Sequence, residues 1–455
     1  MANETEPMLS IEGAHELVRA ASSDPLPAED TPLESALSRV LAESILSTLD
    51  LPRWDNSAMD GFAVHAEDVA GAASGSPVRL RVVGEVRAGA SADVELPHGC
   101  AIRIATGARI PDTADAVIPV EETTLIASGA GSVSSAATDS VSPIRSGGFR
   151  AGEPMPEACL VTSGVEPGAF IRRRGEDVRA GARMLEPGRR VTPAQIALAA
   201  AVGLGSLRVH RQPVAAVLST GDELRSAGLE LGESGIPDAN RPGLLAMCRA
   251  AGAHAVDLGI VPDSLDSVLA ALRPAIDRSD LLIVSGGVSV GPYDVVRSAF
   301  EALGRVELWR VAVQPGKPFA FGTSEPRASD GRRVPMFGLP GNPVSALVTF
   351  DLFVRPALDR LSGLASPYVE TDRAITEERL GKAAGRRGFL RVVVLRDECG
   401  APIRDAAGRL RVRQSGHQGS HVLSAMAAAD ALAVVPEAVD HLEPGAEVEI
   451  RWLPR

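Results

Sequence analysis

The sequence predicts a multidomain protein of the α/β plus β class. We expect a central three-layer α/β domain with a mainly parallel sheet, between an N-terminal helical, linker and β region and a C-terminal β-domain. Strand-length and helix-length apolar segments alternate through the middle of the chain, whereas period-two patterns lie on either side of them. The length of 455 residues also suits about three domains.

The N-terminal region has apolar residues at helical spacing in residues 10–21 and 33–47. Both segments are predicted to be short helices. From residue 77 to 120, short alternating runs separated by Gly and Pro predict a small β-domain. Residues 128–148 are rich in Ser, Ala and Gly with scarcely any large apolar side chain, so we expect a mobile loop there.

The middle of the chain carries the alternation that predicts the parallel sheet. Thr192 and Pro193 begin a helix as N-cap and first helical residue, and Gly203 ends it. Strands are then predicted at residues 214–218, 255–261, 281–284, 306–313 and 335–338, and helices at residues 244–251, 265–276, 295–303 and 345–361. After residue 363 the apolar period returns to two, which predicts the second β-domain.

These patterns predict four domains. The boundaries are 1–51 together with 149–191 for a helical and extended linker domain, 52–148 for the first β-domain, 192–363 for the α/β domain and 364–455 for the C-terminal β-domain. 

Composition and charge disfavour several function classes. The 46 Lys and Arg against 58 Asp and Glu give a net charge of −12, which repels nucleic acid and anionic membranes. The four cysteines show neither a disulfide framework nor the spacing of zinc ligands. The acidic N-terminus lacks the pattern of an export signal, and no apolar run reaches the ~20 residues of a bilayer span. We therefore expect a cytoplasmic protein without nucleic-acid or membrane partners.

Glycine-containing loops follow several predicted strands, which is where ligands bind in an open parallel sheet. They occupy residues 219–224, 285–294, 314–318 and 338–343. Their glycines let a phosphate approach backbone N–H groups, and Lys317 supplies a cation for an oxyanion. Neither of the first two loops matches a Walker A loop or a GxGxxG fingerprint, which disfavours ordinary nucleotide hydrolysis and NAD binding. A tight turn with a glycine-rich helix cap is the alternative interpretation of the loop at residues 285–294 taken alone, and a solvated surface lysine is the alternative for Lys317.

Carboxylates accompany these loops and the polar segment at residues 55–61. Asp60, Asp222, Asp263 and Asp294 together are candidate ligands of Mg²⁺, which prefers carboxylate oxygens and bound phosphates. Carboxylates at turn tips are also common caps, so each Asp taken alone has both interpretations. The polar segments 55–61 and 106–111 also have two interpretations. They could contribute to a site, or they could form simple Asx turns.

Taken together, these motifs resemble one family, the molybdopterin molybdenumtransferases of the MoeA type, which includes the E domain of gephyrin. The similarity runs from about residue 11 to the C-terminus, and its most distinctive segments are residues 55–64, 219–224, 285–294, 315–318 and 338–345. The resemblance implies a MogA-like α/β domain. It also implies an enzyme that joins molybdate to adenylylated molybdopterin, releases AMP and yields the molybdenum cofactor, with Mg²⁺ assisting.

The resemblance further implies a set of site residues. The catalytic cleft would be lined by Asp60, Thr106, Asp222 and Asp263. The pterin nucleotide would be bound by Thr220, Gly221, Glu223, Gly286, Gly287, Ser289, Gly291, Asp294, Gly338, Pro340, Gly341 and Asn342. Molybdate would be bound by Lys317, Pro318, Ser345, Arg391 and Ser420, and the metal ion by Asp222 and Asp294.

The resemblance also implies partners: an elongated homodimer, whose cleft combines the α/β domain of one subunit with the first β-domain of the other. We also expect contact with the molybdopterin adenylyltransferase that makes the intermediate. One residue departs from the family pattern. Gln314 stands where many relatives have a lysine, so either molybdate affinity is weaker here or another cation substitutes. The segment around residues 128–148 is longer than the family norm.

Two alternative functions stay open from the sequence. A molybdopterin adenylyltransferase shares the glycine-rich loop at residues 285–294, but the flanking β-domains and segment 55–61 disfavour it. A non-catalytic molybdopterin-binding or scaffold protein would keep the fold and the pocket, although the intact acidic residues argue against it. Neither sequence nor resemblance distinguishes molybdate from tungstate, because both are tetrahedral dianions of nearly equal size.

Overall fold

The structure, a computed structural model, describes residues 8–126, 154–288, 295–366 and 370–453. The chain forms two units. The first contains Met1–Glu43, Pro187–Pro193 and Ser206–Arg455, and the second contains Ser44–Glu186 and Ala194–Gly205. In the described part of the chain, every helix lacks the length and apolar character needed to cross a membrane.

Helices and strands are numbered in chain order. The helices are α1 Ile11–Ala21, α2 Pro193–Ala201, α3 Asn240–Ala250, α4 Leu265–Ile276, α5 Val295–Leu303, α6 Pro343–Thr349, α7 Arg355–Leu361 and α8 Leu423–Ala427. Short 3-10 helices occur at Leu33–Ser35, Ala66–Val69 and Val120–Glu122, and the π-helical segment Phe350–Val354 joins α6 to α7.

The strands before residue 200 are β1 Ala28–Pro32, β2 Ile45–Leu46, β3 Asn56–Ser57, β4 Gly61–Val64, β5 Val78–Val86, β6 Cys100–Ile104, β7 Ala116–Pro119, β8 Thr123–Ile126, β9 Ala158–Val161, β10 Ile171–Arg172 and β11 Arg183–Leu185. Those of the central region are β12 Ser206–His210, β13 Val214–Thr220, β14 Leu224–Arg225, β15 Ile236–Pro237, β16 His254–Val261, β17 Leu281–Ser285, β18 Gly304–Arg310, β19 Val313–Gln314, β20 Pro318–Ser324 and β21 Pro335–Leu339. The last are β22 Thr371–Thr376, β23 Leu380–Gly381, β24 Arg387–Val394, β25 Leu410–Gln414, β26 Ala431–Val435, β27 His441–Leu442 and β28 Glu447–Trp452.

The central sheet confirms the predicted α/β class. Its strand order is β16-β13-β17-β21-β20-β18, with the first four strands parallel and the last two antiparallel. Along β13, Ala215 and Val217 pack in one buried cluster with residues of α3 and α6, whereas Ala216 and Leu218 pack in another with residues of α4 and α5. A strand buried on both faces is expected in a parallel sheet covered by helices. The domain therefore has three layers.

The register of this sheet brings its loops together. Ser219 of β13 lies beside Ser285 of β17, which lies beside Leu339 of β21. The three parallel strands thus end level with one another, and the loops that follow them start at the same edge. Ligands of open α/β sheets bind at that edge.

Two further sheets confirm the predicted β-domains. In the second unit, a sheet of order β7-β4-β6-β5-β9-β8 buries apolar residues on both faces. In the first unit, β24 pairs with both β25 and β26, so that β24, β25, β22, β28 and β26 form a closed ring around a third core. The predicted loop at residues 128–148 lies outside the described residues.

The structure corrects the helix predicted at residues 33–47. Only Leu33–Ser35 forms a single 3-10 turn, and Leu37, predicted to face a core, is exposed. Ser38 has a positive φ of 62°, which an α-helix does not tolerate. Val40 and Leu41 are buried, but as extended residues that bridge to neighbouring segments. Tertiary pairing therefore overrides the helical spacing.

The strand predicted at residues 306–313 is also corrected. The segment belongs to two sheets, since β18 pairs with β20 in the α/β sheet whereas β19 pairs with β24 in the C-terminal sheet. The antiparallel strand β20, Pro318–Ser324, was not predicted. It begins directly after Lys317, so the glycine loop at residues 314–318 leads into a strand rather than a helix.

Candidate active site

A cavity of about 530 Å³ lies at the carboxyl ends of β13, β17 and β21, within the first unit. Among the residues predicted from sequence, those lining it are Thr220, Glu223, Asp263, Gly286, Gly287, Pro318, Pro340, Gly341 and Asn342. Residues from all four glycine-containing loops, together with Asp263 after β16, thus meet in one concave site. Its volume is in the range typical of small-molecule sites.

A short hydrogen-bond network fixes two carboxylates beyond the carboxyl end of β13. The Thr220 hydroxyl donates to Asp263 Oδ1 at 2.5 Å, and the Asp263 backbone N–H donates to Asp222 Oδ1 at 3.2 Å. Gly221 joins the same loops, because its N–H donates to Val261 O at 3.2 Å. Each carboxylate keeps a second oxygen that this network does not use.

Glycine occupies the positions in these loops for different physical reasons. Gly286 has φ of +97°, and a Cβ there would lie 2.3 Å from the Thr220 carbonyl oxygen, so both conformation and space require glycine. At Gly341 a Cβ would have only the Gly286 Cα within 4 Å, at 3.9 Å. The protein itself therefore leaves room for a side chain at Gly341, where the backbone lines the cavity. Gly338 does not line the cavity; a Cβ there would meet Ala320 at 2.8 Å in the core.

Asp238 and Asn240 belong to the site although neither was predicted. Both line the cavity and both are buried. Asp238 caps the start of α3, since its Oδ1 accepts the Arg241 N–H at 3.1 Å and its Oδ2 accepts Arg241 Nε at 3.0 Å. The pattern Asp-Ala-Asn before a helical segment is typical of a helix start, and it could have drawn attention to this loop.

The residues predicted to bind molybdate lie on adjoining segments. A Cβ at Gly316 would lie 3.8 Å from the Ser345 carbonyl oxygen, so the loop that carries Lys317 packs on α6. The Val344 N–H donates to Ser420 O at 3.1 Å, which places the Ser420 loop at the start of the same helix. Arg391 reaches that loop from β24, since its Nη2 donates to the carbonyl oxygens of His417 and Gly419, both at 3.0 Å.

The cations of this group have unused donors. Arg391 is fully buried, and its Nε and Nη1 have no hydrogen-bond partner among the described residues. Burial lowers the pKa of Arg391 to about 10, because a desolvated guanidinium is disfavoured in its charged form. Lys317 is exposed and forms no ion pair with a carboxylate of the described ranges. A bound oxyanion would satisfy donors of this kind.

Gln314 has a structural partner. Its Oε1 accepts the Ala383 N–H at 2.9 Å, so its carboxamide ties the glycine loop to the C-terminal β-domain. A lysine at this position could not accept that hydrogen bond.

The remaining predicted residues are placed less completely. Asp60 and Thr106 lie in the second unit, where the Thr106 N–H and hydroxyl donate to Asp60 Oδ1 at 2.6 and 2.8 Å. Ser289, Gly291 and Asp294 lie outside the described residues. The structure therefore does not place Asp294 beside Asp222.

Comparison with known proteins identifies the family. Residues 9–203 match the model of the MoeA N-terminal region (domain I and II), residues 216–360 that of a probable molybdopterin binding domain, and residues 373–453 that of the MoeA C-terminal region (domain IV). The chain is 34% identical to the molybdopterin molybdenumtransferase of Haemophilus influenzae, over 97% of this chain and 98% of that protein. The chain belongs to the molybdopterin molybdenumtransferase family.

Other members of the family agree with this assignment. Molybdopterin molybdenumtransferase 2 of Mycobacterium tuberculosis is 37% identical over 92% of this chain and 93% of that protein. The solved structure of a molybdopterin biosynthesis MoeA protein from Pyrococcus horikoshii is 31% identical, with a TM-score of 0.73, and covers 98% of this chain and 99% of that one. The family and fold that the resemblance implied are thus confirmed over nearly the whole chain.

Proposed function

We propose that this chain is a transferase that joins molybdate to adenylylated molybdopterin and releases AMP, which completes the molybdenum cofactor. One observation carries the proposal: the cavity at the sheet edge gathers eight of the residues predicted to bind and process the pterin nucleotide, together with Pro318 of the predicted molybdate site. Lys317, which directly precedes Pro318 of the cavity lining, and Arg391, whose Nε and Nη1 are unpaired among the described residues, are the cations proposed to bind a dianionic oxyanion. A phosphate ester and an oxyanion would thus be held close together.

The chain's own residues divide the work in this proposal. The glycine loop at Gly341 binds the phosphates, because a Cβ there would meet only the Gly286 Cα within 4 Å and the backbone is open to an approaching ligand. The unused nitrogens of Arg391 hold and orient molybdate. Preorganised donors of this kind cost no reorganisation during the reaction. Water attacks the phosphate anhydride, so that AMP leaves and the phosphate of molybdopterin remains. The two dithiolene sulfurs replace oxygen ligands of molybdate, which leave as water with the thiol protons.

The donor set also fits Mg²⁺. Asp222 and Asp263 lie on adjacent loops, each with one carboxylate oxygen outside the network described above. Asp263 and Glu223 line the cavity, and Asp222 is joined to it through the Asp263 N–H. Mg²⁺ is commonly held by one or two carboxylates together with substrate phosphates. When bound, the ion would offset negative charge on the phosphate that leaves with AMP. Whether Asp294 is also a ligand stays a prediction.

The working state of the protein is part of the same proposal. We propose a homodimer, as the family resemblance implies, in which Asp60 and Thr106 of one subunit serve the cleft of the other. The chain would work in the cytoplasm, in contact with the adenylyltransferase that supplies its substrate. All four cysteines are free, which suits a reducing compartment.

An assay of AMP release tests this function. Purified protein given adenylylated molybdopterin, Mg²⁺ and molybdate should release AMP, measured by liquid chromatography. Asp222→Asn should slow release by at least ~100-fold, in the range typical of acid–base or metal-binding groups. Glu301→Gln is the matched control, because Glu301 lies on the surface of α5 and pairs with Arg297.

The alternatives have different outcomes in this assay. Absence of AMP release by the wild-type chain would reject the proposal. Adenylylation of molybdopterin from ATP would indicate the adenylyltransferase, and tight binding without turnover would indicate a scaffold. Repeating the assay with tungstate compares the two oxyanions directly.

A further inference from the structure

Asn240 occupies a central position in the cavity. It is the first residue of α3, it is buried, and it lines the cavity between the ends of β17 and β21. The network that caps α3 through Asp238 fixes its backbone. Its side chain is therefore presented from a rigid element, as a recognition group should be.

The carboxamide nitrogen of Asn240 is fully used by the protein. Nδ2 donates to Ser285 Oγ and to Gly341 O, both at 2.8 Å. A carboxamide nitrogen carries two hydrogens, so no donor is left for a ligand. The bond to the Gly341 carbonyl oxygen also fixes which end of the carboxamide is which, since a carbonyl oxygen can only accept and its partner must be the nitrogen. The two bonds tie the end of β17 to the glycine loop after β21.

The carboxamide oxygen is the part left for the cavity. Oδ1 accepts no hydrogen bond from any residue in the described ranges, and it is not among the fully buried side-chain atoms without a partner. An acceptor left in a binding site weakens binding unless the ligand brings a donor. Phosphate and molybdate oxygens are acceptors as well, so they would repel Oδ1.

We infer that Asn240 is a specificity-determining residue whose Oδ1 accepts a hydrogen bond from an N–H or O–H group of the nucleotide or pterin part of the substrate, not from its phosphates. The inference rests on the proposed function, because it takes that substrate as the ligand. It separates two tasks within one cavity. The glycine loops bind phosphate, whereas Asn240 recognises a donor-bearing part of the ligand.

Calorimetric titration of three proteins tests this role. Wild type, Asn240→Ala and Asn240→Asp are each titrated with AMP, with molybdopterin under nitrogen, and with inorganic pyrophosphate. Asn240→Ala removes the acceptor, and we expect it to weaken either AMP or molybdopterin by about three- to tenfold, which is the usual effect of one neutral hydrogen bond. Pyrophosphate affinity should change less than twofold, because that ligand offers no such donor.

The conservative variant separates recognition from loop positioning. Asn240→Asp keeps an acceptor oxygen and adds a negative charge. It loses the bond to the Gly341 carbonyl oxygen, whereas the Ser285 hydroxyl can reverse its role and donate to the carboxylate. The added charge weakens the binding of all three anionic ligands. The quantity compared between the proteins is therefore a ratio, the affinity for pyrophosphate divided by the affinity for AMP or for molybdopterin. We expect Asn240→Asp to retain the wild-type ratio more closely than Asn240→Ala does.

The ligand that responds identifies the donor. A loss of affinity confined to AMP assigns the donor to adenosine. Titration with purine riboside 5′-monophosphate, which lacks the adenine amino group, then shows whether that amino group or a ribose hydroxyl is the donor. Loss confined to molybdopterin assigns it to the pterin. Equal weakening of all three ligands by Asn240→Ala, or no weakening of any, would overturn the inference. These binding results stand apart from AMP release by the wild-type chain, on which the proposed function depends.

Discussion

Arg391 has a buried guanidinium with two nitrogens that the described residues leave unpaired. Burial of a charge without a partner costs free energy, which is why its pKa falls to about 10. At neutral pH the group is still charged. The fold thus maintains an unsatisfied cation in the region where the proposed function requires an anion.

Arg391→Met should separate function from stability. The variant loses two hydrogen bonds to backbone carbonyls but also removes a desolvated charge, so we expect the free energy of unfolding to change by no more than about 1 kcal/mol. The KM for molybdate should rise about tenfold or more, because charge-assisted hydrogen bonds are lost. Urea unfolding and AMP-release kinetics measure the two quantities. A large loss of stability with an unchanged KM would make Arg391 a structural residue.

The cysteines give a second prediction at the residue scale. Cys100, Cys159 and Cys248 are buried, and burial raises the pKa of both Cys159 and Cys248 to about 12. The thiolate is the reactive form, so the raised pKa reduces the reactive population of Cys159 and Cys248 at pH 8. Burial shields Cys100 from the reagent, so none of the three should react in the folded protein. Ellman's reagent should titrate Cys399 alone in the folded protein and all four cysteines in guanidinium. Rapid reaction of a second thiol in the folded state would contradict this burial.

At the scale of elements, the loops after β17 and β21 permit a matched pair of glycine substitutions. Gly286→Ala meets a positive φ and the Thr220 carbonyl, so we expect a loss of about 2 kcal/mol or more in unfolding free energy. Gly341→Ala meets neither obstacle within the protein. It should leave the melting temperature nearly unchanged while raising the KM for adenylylated molybdopterin.

Thermal melts and kinetics of the two variants check this pair. An unchanged KM in Gly341→Ala would mean that no ligand approaches that backbone. An unchanged melting temperature in Gly286→Ala would mean that the loop after β17 relaxes without cost.

The same scale shows what local sequence patterns can predict. Helix α4, Leu265–Ile276, was predicted with the bounds that the structure has. Its apolar residues recur at helical spacing because one face of the helix packs on the sheet. The helix predicted at residues 33–47 was wrong. Val40 and Leu41, predicted to line its apolar face, instead form isolated bridges to segments distant in the sequence. β20 was missed because it follows a glycine loop that was interpreted as an active-site turn. The conformation of such segments depends on pairing with strands that are distant in the sequence.

For the whole molecule, the family and the fold were predictable, and the comparisons confirm both. The meeting of the loops at residues 219–224, 285–288 and 338–343 followed from the rule for open α/β sheets, and the cavity agrees with it. The part played by Asn240 was not predictable in the same way. Its role depends on which hydrogen-bond partners its carboxamide finds in space, and sequence spacing carries no information about that.

Gln314 shows the same limit from another side. As a departure from the family pattern it was interpreted as a lost positive charge, an interpretation that considers only the substrate. The structure adds its hydrogen bond to Ala383 of the C-terminal β-domain. The residue thus has a positioning role within the first unit that comparison of motifs alone did not indicate.

The proposed reaction couples cleavage of the adenylyl group to insertion of molybdenum. The most direct test is to measure, in a single turnover, the AMP released and the molybdenum that becomes bound to molybdopterin, by chromatography and by elemental analysis of the isolated cofactor. Equal amounts of the two, each requiring molybdate and each lost together in Asp222→Asn, are the predicted result. AMP release without molybdenum insertion, or insertion without AMP release, would contradict the account.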